Sequence, residues 1–245
     1  MHRIIVTLFG MTLLVAAGQV IAACSVSSSS TTPHLLELYT SEGCSSCPPA
    51  EQWYRGLRAN DQIVPLEFHV DYWNDLGWTD RYARHAYTLR QQRIVAHGGN
   101  EIVYTPEVAI DGREWREWSR SNLPPAEPAP FVLRLDIDTT NDVMGRLSVL
   151  GTRISPSGYE AYFALVEDNL LSNVSAGENN GRKLQHDHVV REIVGPVALS
   201  QAQARLMVPA DGVLANTSVV AYVTRGSDGT PVQVLEHGLE GCIQR

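Results

Sequence analysis

Two cysteines separated by two serines, Cys44 and Cys47, constrain this chain more than any other feature of its sequence. A short apolar run, 35–39, precedes the pair, and apolar residues at helical spacing follow it over 50–57. The pair is therefore predicted to lie where a strand passes into a helix. The first thiol would lie beside unpaired backbone N–H groups at the positive end of the helix dipole, which favours the thiolate. The second would lie about one turn further on.

This spacing is typical of thiol–disulfide exchange, in which a thiolate attacks and a neighbouring thiol resolves the mixed disulfide. We expect Cys44 to be the attacking thiol, more exposed and more acidic than Cys47, the resolving thiol. Two other interpretations stay open: a structural disulfide, or half of a metal site. A zinc site usually adds a second Cys/His pair at ligand spacing, and the sequence contains no second Cys-X-X-Cys.

The N-terminus has the pattern of an export signal. Arg3 supplies a positive charge, residues 4–20 are almost wholly apolar, and residues 21–23 are Ile-Ala-Ala, directly before Cys24. This ending resembles a bacterial lipobox, in which the cysteine is lipidated and becomes the first mature residue. We therefore predict a lipoprotein-type signal peptide over 1–23 and a lipid anchor on Cys24.

That signal predicts a periplasm-facing protein, anchored by lipid in a bacterial membrane. An ordinary signal peptide, which would leave a soluble periplasmic or secreted protein, is the alternative. The Ser/Thr-rich segment 24–33 is predicted to be a flexible tether. If Cys24 carries lipid and Cys44 pairs with Cys47, then Cys242 has no partner within the chain.

Charge excludes one large class of partners. The chain carries a net charge of −8 at pH 7, and its basic residues form no cluster. Nucleic-acid binding depends on grouped lysines and arginines that neutralise phosphates. We therefore expect no nucleic-acid partner.

Four prolines in 121–130 predict a linker between two domains. Strands and helices alternate over 34–120, which favours an α/β domain. Over 131–245, short strands separated by turn residues predict an all-β, sandwich-like domain. The strands predicted there are 131–137, 146–153, 159–167, 188–193, 204–208, 218–224 and 232–237.

Several motifs together closely resemble a bacterial family of secreted thioredoxin-like proteins, catalogued as a domain of unknown function. The resemblance extends over both halves of the chain. The motifs that carry it are the segments 38–50, 68–73, 76–78 and 103–106, and, towards the C-terminus, 177–179, 181–182, 186–187 and 190–191.

The resemblance implies a thioredoxin-like fold for 34–120, although the sequence after the Asp111-Gly112 turn offers only Trp115 and Trp118 where such folds place a final helix. It also implies that Thr105 and Pro106, joined by a cis bond, border a substrate groove opposite the cysteines.

The expected function is extracytoplasmic thiol–disulfide oxidoreduction of protein thiols, with no cofactor. The alternatives are a non-catalytic binding scaffold with a structural disulfide, and a copper-handling protein.

Other polar residues are weaker candidates. His69 and Asp71 follow a predicted strand on one face, where they could tune the thiolate or simply orient the next loop. His186 and His188 would point the same way on a strand, as two metal ligands do, but further ligands cannot be named. We therefore predict an ordinary polar strand face there and no metal site.

Overall fold

A computed structural model describes residues 24–57, 62–99, 101–120 and 122–242. The predicted signal peptide, 1–23, lies outside the described residues. Among the helices described, none has the length and apolar composition needed to cross a membrane.

The described residues form two α-helices and sixteen strands. The helices are α1 (Pro48–Arg55) and α2 (His85–His97). The strands are β1 (Ser25–Ser27), β2 (Thr31–Thr32), β3 (His34–Thr40), β4 (Ile63–His69), β5 (Glu107–Ile110), β6 (Arg113–Glu114), β7 (Glu127–Pro128), β8 (Phe131–Asp138), β9 (Val143–Thr152), β10 (Tyr159–Glu167), β11 (Leu170–Asn173), β12 (Lys183–His186), β13 (Val189–Ala198), β14 (Gln203–Leu206), β15 (Thr217–Arg225) and β16 (Pro231–Gly238).

Eight strands form one mixed sheet in the order β16-β15-β10-β13-β4-β3-β5-β6. Strands β3 and β4 are parallel, and β5 runs antiparallel to β3 on its other side. The two halves of the chain meet between β4 and β13, where Val189 lies opposite Glu67 and the Glu67 amide donates to the His188 carbonyl at 2.7 Å. The predicted linker, 121–130, therefore separates two stretches of sequence, but the main sheet continues across both.

A second sheet, β1-β8-β9-β14, packs against the β10–β15 part of the main sheet. Inward-facing residues of β8, such as Leu133 and Leu135, alternate with more exposed ones, as expected for a strand with one buried face. Gly145 in β9 allows close approach, since a Cβ there would lie 2.8 Å from the Phe163 ring. Each of the seven strands predicted in this half overlaps an observed strand, and β11 and β12 were not predicted.

Helices α1 and α2 cover opposite faces of β3. Leu35 and Tyr39 contribute to the core that includes residues of α2, whereas Leu36 and Leu38 pack with α1. This division follows from the strand's two-residue side-chain period.

The indoles of Trp115 and Trp118 pack on α1. Their ring centroids lie 6.3 Å and 4.7 Å from that of Trp53. Both residues follow β6, where the resemblance would place a final helix. Their side chains pack in the core with α1 and not at an interface with the β-rich half.

The predicted tether is wrong, because 24–33 is built into the fold. Strand β1 pairs with β8, which follows the predicted linker, and β2 pairs with β7, which lies inside that linker.

Cys24 forms a disulfide with Cys242, and both pack in the core between the two sheets. Cys242 is therefore paired. Because one sulfur cannot carry both a disulfide and a thioether to lipid, this bond and the predicted anchor on Cys24 exclude one another.

Candidate functional site

Cys44 and Cys47 form a disulfide in the turn between β3 and α1, with their Cα atoms 5.4 Å apart. The predicted position between strand and helix is confirmed. Both cysteines are fully buried, whereas the intervening Ser45 and Ser46 are exposed. The expectation that Cys44 is the more exposed of the two is therefore wrong for this oxidised form.

The start of α1 offers fewer donors to the sulfurs than the sequence predicted. Cys47 is the N-cap, and Pro48 and Pro49, which have no N–H, occupy the next two positions. The Cys44 amide is used in the turn, where it donates to the Ser41 carbonyl at 3.0 Å. The Cys44 sulfur lies 3.3 Å from the Ser46 hydroxyl.

A loop from the second half of the chain, residues 177–182, covers this turn; we call it the covering loop. The side-chain amide of Asn179 donates at 2.9 Å to the carbonyls of both Glu42 and Cys44. Arg182 in turn donates to Asn179 Oδ1 at 2.8 Å, which fixes the orientation of the amide. Asn179 is fully buried, so these bonds are shielded from water.

Glu178 makes the second contact of the covering loop. Its carboxylate accepts from the Ser45 amide at 3.1 Å, and the hydrogen bonds from Ser45 lower the pKa of Glu178. Gly177 has a φ of +66° and approaches Trp78 so closely that a Cβ would lie 3.2 Å from the Trp78 Cβ. The sequence signal for a role of this loop is that most of its residues belong to the family motifs.

Thr105 and Pro106 are half-buried and immediately precede β5, and the peptide bond between them is cis. Trp73 links them to the cysteine turn. Its indole N–H donates to Thr105 Oγ1 at 2.8 Å, and its Cβ lies against Gly43, the residue before Cys44.

His69 and Asp71 do not act together. His69 ends β4 and is fully buried between Glu67 (2.9 Å) and Asp80 (2.7 Å). Asp71 instead accepts a hydrogen bond from Thr88 of α2 at 2.6 Å. Asp71 therefore positions the loop before α2, which is the alternative that the sequence left open.

His69 belongs to a cluster of buried titratable side chains on the α1 side of β3 and β4. The prediction of an ordinary polar strand face at His186 and His188 is wrong, because both side chains are buried. His186 joins the cluster, whereas His188 lies in the turn after β12 and contacts the Leu57 carbonyl at 3.1 Å. The cluster consists of Glu42, Glu51, Glu67, His69, Asp80 and His186.

The protonation of this cluster departs from that of exposed groups. Burial opposes a charge on His186, but the carboxylates of Glu42 and Glu67 outweigh it and raise the pKa to about 9. Burial raises the pKa of Glu51 to about 7, although His186 lies nearby. A buried group of this kind could hold protons or a cation.

The model of the family DUF1223, whose description is "protein of unknown function", matches residues 35–224. No curated protein matches the chain. A crystal structure of protein AGR_C_4864 from Agrobacterium tumefaciens is similar, with 24% identity and a TM-score of 0.57 over 89% of this chain and 99% of that one. HBP35 of Porphyromonas gingivalis shows 15% identity and a TM-score of 0.55 over 86% of this chain and 76% of that one. At these identities the likeness concerns the fold alone.

Proposed function

Because the chain belongs to the DUF1223 family, whose description assigns no reaction, we propose its function from its own site: thiol–disulfide exchange with protein substrates outside the cytoplasm. The observation that carries the proposal is the Cys44–Cys47 disulfide in a turn between a strand and a helix. The second disulfide, Cys24–Cys242, supports an oxidising location, since disulfides persist there and are rare in the cytosol.

The exchange from the oxidised form proceeds in two steps. A substrate thiolate attacks Cys44 Sγ, a mixed disulfide forms, and Cys47 leaves as a thiolate. A second substrate thiolate then attacks the substrate sulfur of the mixed disulfide and releases Cys44. The substrate becomes a disulfide and the protein a dithiol. In the reverse direction, the Cys44 thiolate attacks a substrate disulfide and Cys47 resolves it.

We further propose that 34–120 acts as a thioredoxin-like unit. The order β4-β3-β5, with α1 directly after the cysteines, supports this interpretation. Thr105 and Pro106 would form one edge of the groove that holds an extended substrate segment. Their link through Trp73 to Gly43 supports a position beside the cysteine turn.

Both cysteines are buried, and the covering loop is hydrogen-bonded to the turn that carries them, so we propose that a substrate reaches Cys44 when this loop moves. The loop is attached to the turn through Asn179 and Glu178 by hydrogen bonds, which water can replace when the loop opens. We propose that this opening accompanies substrate binding.

Full burial of the cysteines also favours a second candidate, a binding scaffold with a permanent disulfide. A reduction potential separates the two functions. We would titrate the protein in redox buffers, in a Cys24→Ser/Cys242→Ser background so that only one disulfide reports. An exchange protein should have a reversible potential above about −300 mV, whereas a structural disulfide should lie below it.

A trapping experiment tests whether protein substrates form mixed disulfides with Cys44. Cys47→Ala removes the resolving thiol, so mixed disulfides at Cys44 should accumulate and appear on a non-reducing gel. A Cys44→Ala/Cys47→Ala variant is the matched control. A potential below the stated limit together with no trapped species would establish the scaffold instead.

A further inference from the structure

We propose that the buried cluster contains a closed, four-coordinate site for a divalent cation of the zinc type. Three of the ligand atoms, from Glu67, His69 and His186, already lie within 4.8 Å of one another, and all three side chains are buried. The fourth ligand is a carboxylate oxygen from α1. The ligands are Glu51, Glu67, His69 and His186.

Two of the separations match those of a tetrahedral site. Zinc bonds of about 2.0–2.2 Å to nitrogen and oxygen place neighbouring ligand atoms about 3.3–3.6 Å apart. Nδ1 of His186 lies 3.4 Å from Glu67 Oε1 and 3.5 Å from Glu51 Oε2. Nε2 of His69 lies 2.9 Å from Glu67 Oε1, a shorter separation because these two atoms share a hydrogen bond.

The surroundings of His186 are a second, independent indication of a bound ligand. Within the described part of the chain, neither of its ring nitrogens has a hydrogen-bond partner, although the side chain is fully buried. A buried imidazole without partners is unfavourable, and native structures almost always satisfy such groups. A metal ion on Nδ1 would satisfy the nitrogen that faces Glu51 and Glu67.

The outer contact of His69 follows the arrangement found around metal sites, and His186 has a carboxylate neighbour at longer range. A ligating histidine commonly donates its other ring N–H to a carboxylate, which fixes its orientation. Asp80 lies 2.7 Å from Nδ1 of His69, which directs Nε2 towards the centre. The Glu42 carboxylate lies 3.5 Å from Nε2 of His186, a contact without a hydrogen bond, and Nδ1 is the ring nitrogen that faces Glu51 and Glu67.

The donor set defines the class of metal and its role. Two imidazole nitrogens and two carboxylate oxygens suit zinc, and the two carboxylates balance its charge. All four positions are filled by protein, as in structural rather than catalytic sites. Glu51 lies in the first turn of α1, Glu67 and His69 in β4, and His186 at the end of β12. The ion would therefore hold the helix that follows Cys47 against both halves of the chain.

The test uses the full protein with its disulfides intact, so that no cysteine thiolate is present to bind the metal. After chelator treatment, we expect ZnCl₂ to bind with one ion per chain and a Kd below about 0.1 µM. CoCl₂ in its place should give the absorption bands of tetrahedral cobalt without a sulfur charge-transfer band. Because the cysteines stay oxidised, the outcome is independent of whether the protein exchanges disulfides.

Variants identify the ligands. His186→Gln and Glu51→Gln should each weaken zinc binding at least about 100-fold, and Asp80→Asn about 10- to 100-fold. His188→Gln is the matched control, since His188 is a buried neighbour outside the cluster, and it should bind zinc as the wild type does.

Two results would overturn the proposal. One is that folded wild-type protein binds no stoichiometric zinc. Protons would then balance the negative charge of the carboxylates in the cluster. The other is zinc binding that is unchanged in folded His186→Gln. If that variant fails to fold, X-ray absorption of the zinc-loaded wild type decides the question: nitrogen and oxygen neighbours without a sulfur shell at about 2.3 Å support the site, and a sulfur shell contradicts it.

Discussion

Asn179 stabilises the cysteine turn because it supplies donors to two buried carbonyls, those of Glu42 and Cys44. Asn179→Ala would remove the side-chain donor from both carbonyls, although the Cys44 carbonyl would keep its bond from the Cys47 amide at 3.2 Å, and we expect a cost of about 1–3 kcal/mol in the free energy of unfolding. We also expect dithiothreitol to reduce the Cys44–Cys47 disulfide faster in this variant, because the covering loop is held less firmly.

Thiol alkylation and mass spectrometry at timed intervals measure that reduction rate. Asn180→Ala is the matched control, since Asn180 is the exposed neighbour in the same loop. An unchanged reduction rate in folded Asn179→Ala would show that the loop does not control access.

His34 makes stability depend on pH. Its two ring nitrogens lie 2.5 Å from Asp111 Oδ2 and 2.9 Å from the Pro125 carbonyl. Both partners are acceptors, so only the protonated ring can donate to both. Burial opposes the charge, but the hydrogen bonds that His34 donates to Asp111 and Pro125 outweigh it and raise the pKa of His34.

The raised pKa of His34 determines how stability changes with pH. The stabilisation by protonated His34 is fully present below the pKa of histidine in the unfolded chain, about 6.5, and is lost as pH rises through the pKa in the folded protein. Between pH 6 and 9, the wild type should lose about 1 kcal/mol more unfolding free energy than His34→Gln, as measured by urea denaturation. His85→Gln, at an exposed histidine, should follow the wild type. Parallel curves for wild type and His34→Gln would contradict this role.

At the scale of elements, the contact between β9 and β10 limits how the two sheets pack. A Cβ at Gly145 would lie 2.8 Å from the Phe163 ring, which is fully buried. Gly145→Val should therefore force the sheets apart and lower the free energy of unfolding by about 1–3 kcal/mol. Gly151→Val, in the same strand, is the control, because the nearest atom to its Cβ is 3.5 Å away. Equal denaturation midpoints for the two variants would show that the sheets adjust without cost.

At the scale of the whole molecule, the Cys24–Cys242 disulfide joins residues 218 positions apart. Removing a disulfide that closes a long loop typically costs about 2–4 kcal/mol. We therefore expect Cys24→Ser to lower the free energy of unfolding by that amount, and Cys24→Ser/Cys242→Ser to match it. A double variant much less stable than the single one would show that Cys242 has another role.

The same disulfide makes the state of Cys24 testable in cells. We expect Cys242 of the mature protein to resist alkylation until a reductant is added. If Cys24 instead carries the predicted lipid, Cys242 would be free and would react at once. Mass spectrometry of the protein from the membrane and soluble fractions, alkylated before and after reduction, distinguishes these states.

Local sequence patterns were enough to predict the cysteine turn and most strands of the second half. The apolar run before Cys44 and the helical spacing after Cys47 are local patterns, and they correspond to β3 and α1. Alternation in 131–137 likewise corresponds to β8. Such patterns report which side of an element is buried.

Which elements meet could not be predicted from these patterns and depends on the three-dimensional fold. The Asn179 bonds to the cysteine turn span 137 and 135 residues, and the parallel pairing of β4 with β13 joins Glu67 to Val189 across the predicted linker. Periodicity shows that a face is buried but not which partner buries it, because pairing and register depend on all the contacts of the fold together. For that reason the sequence predicted a polar strand face at His186 and no cluster where the two halves meet.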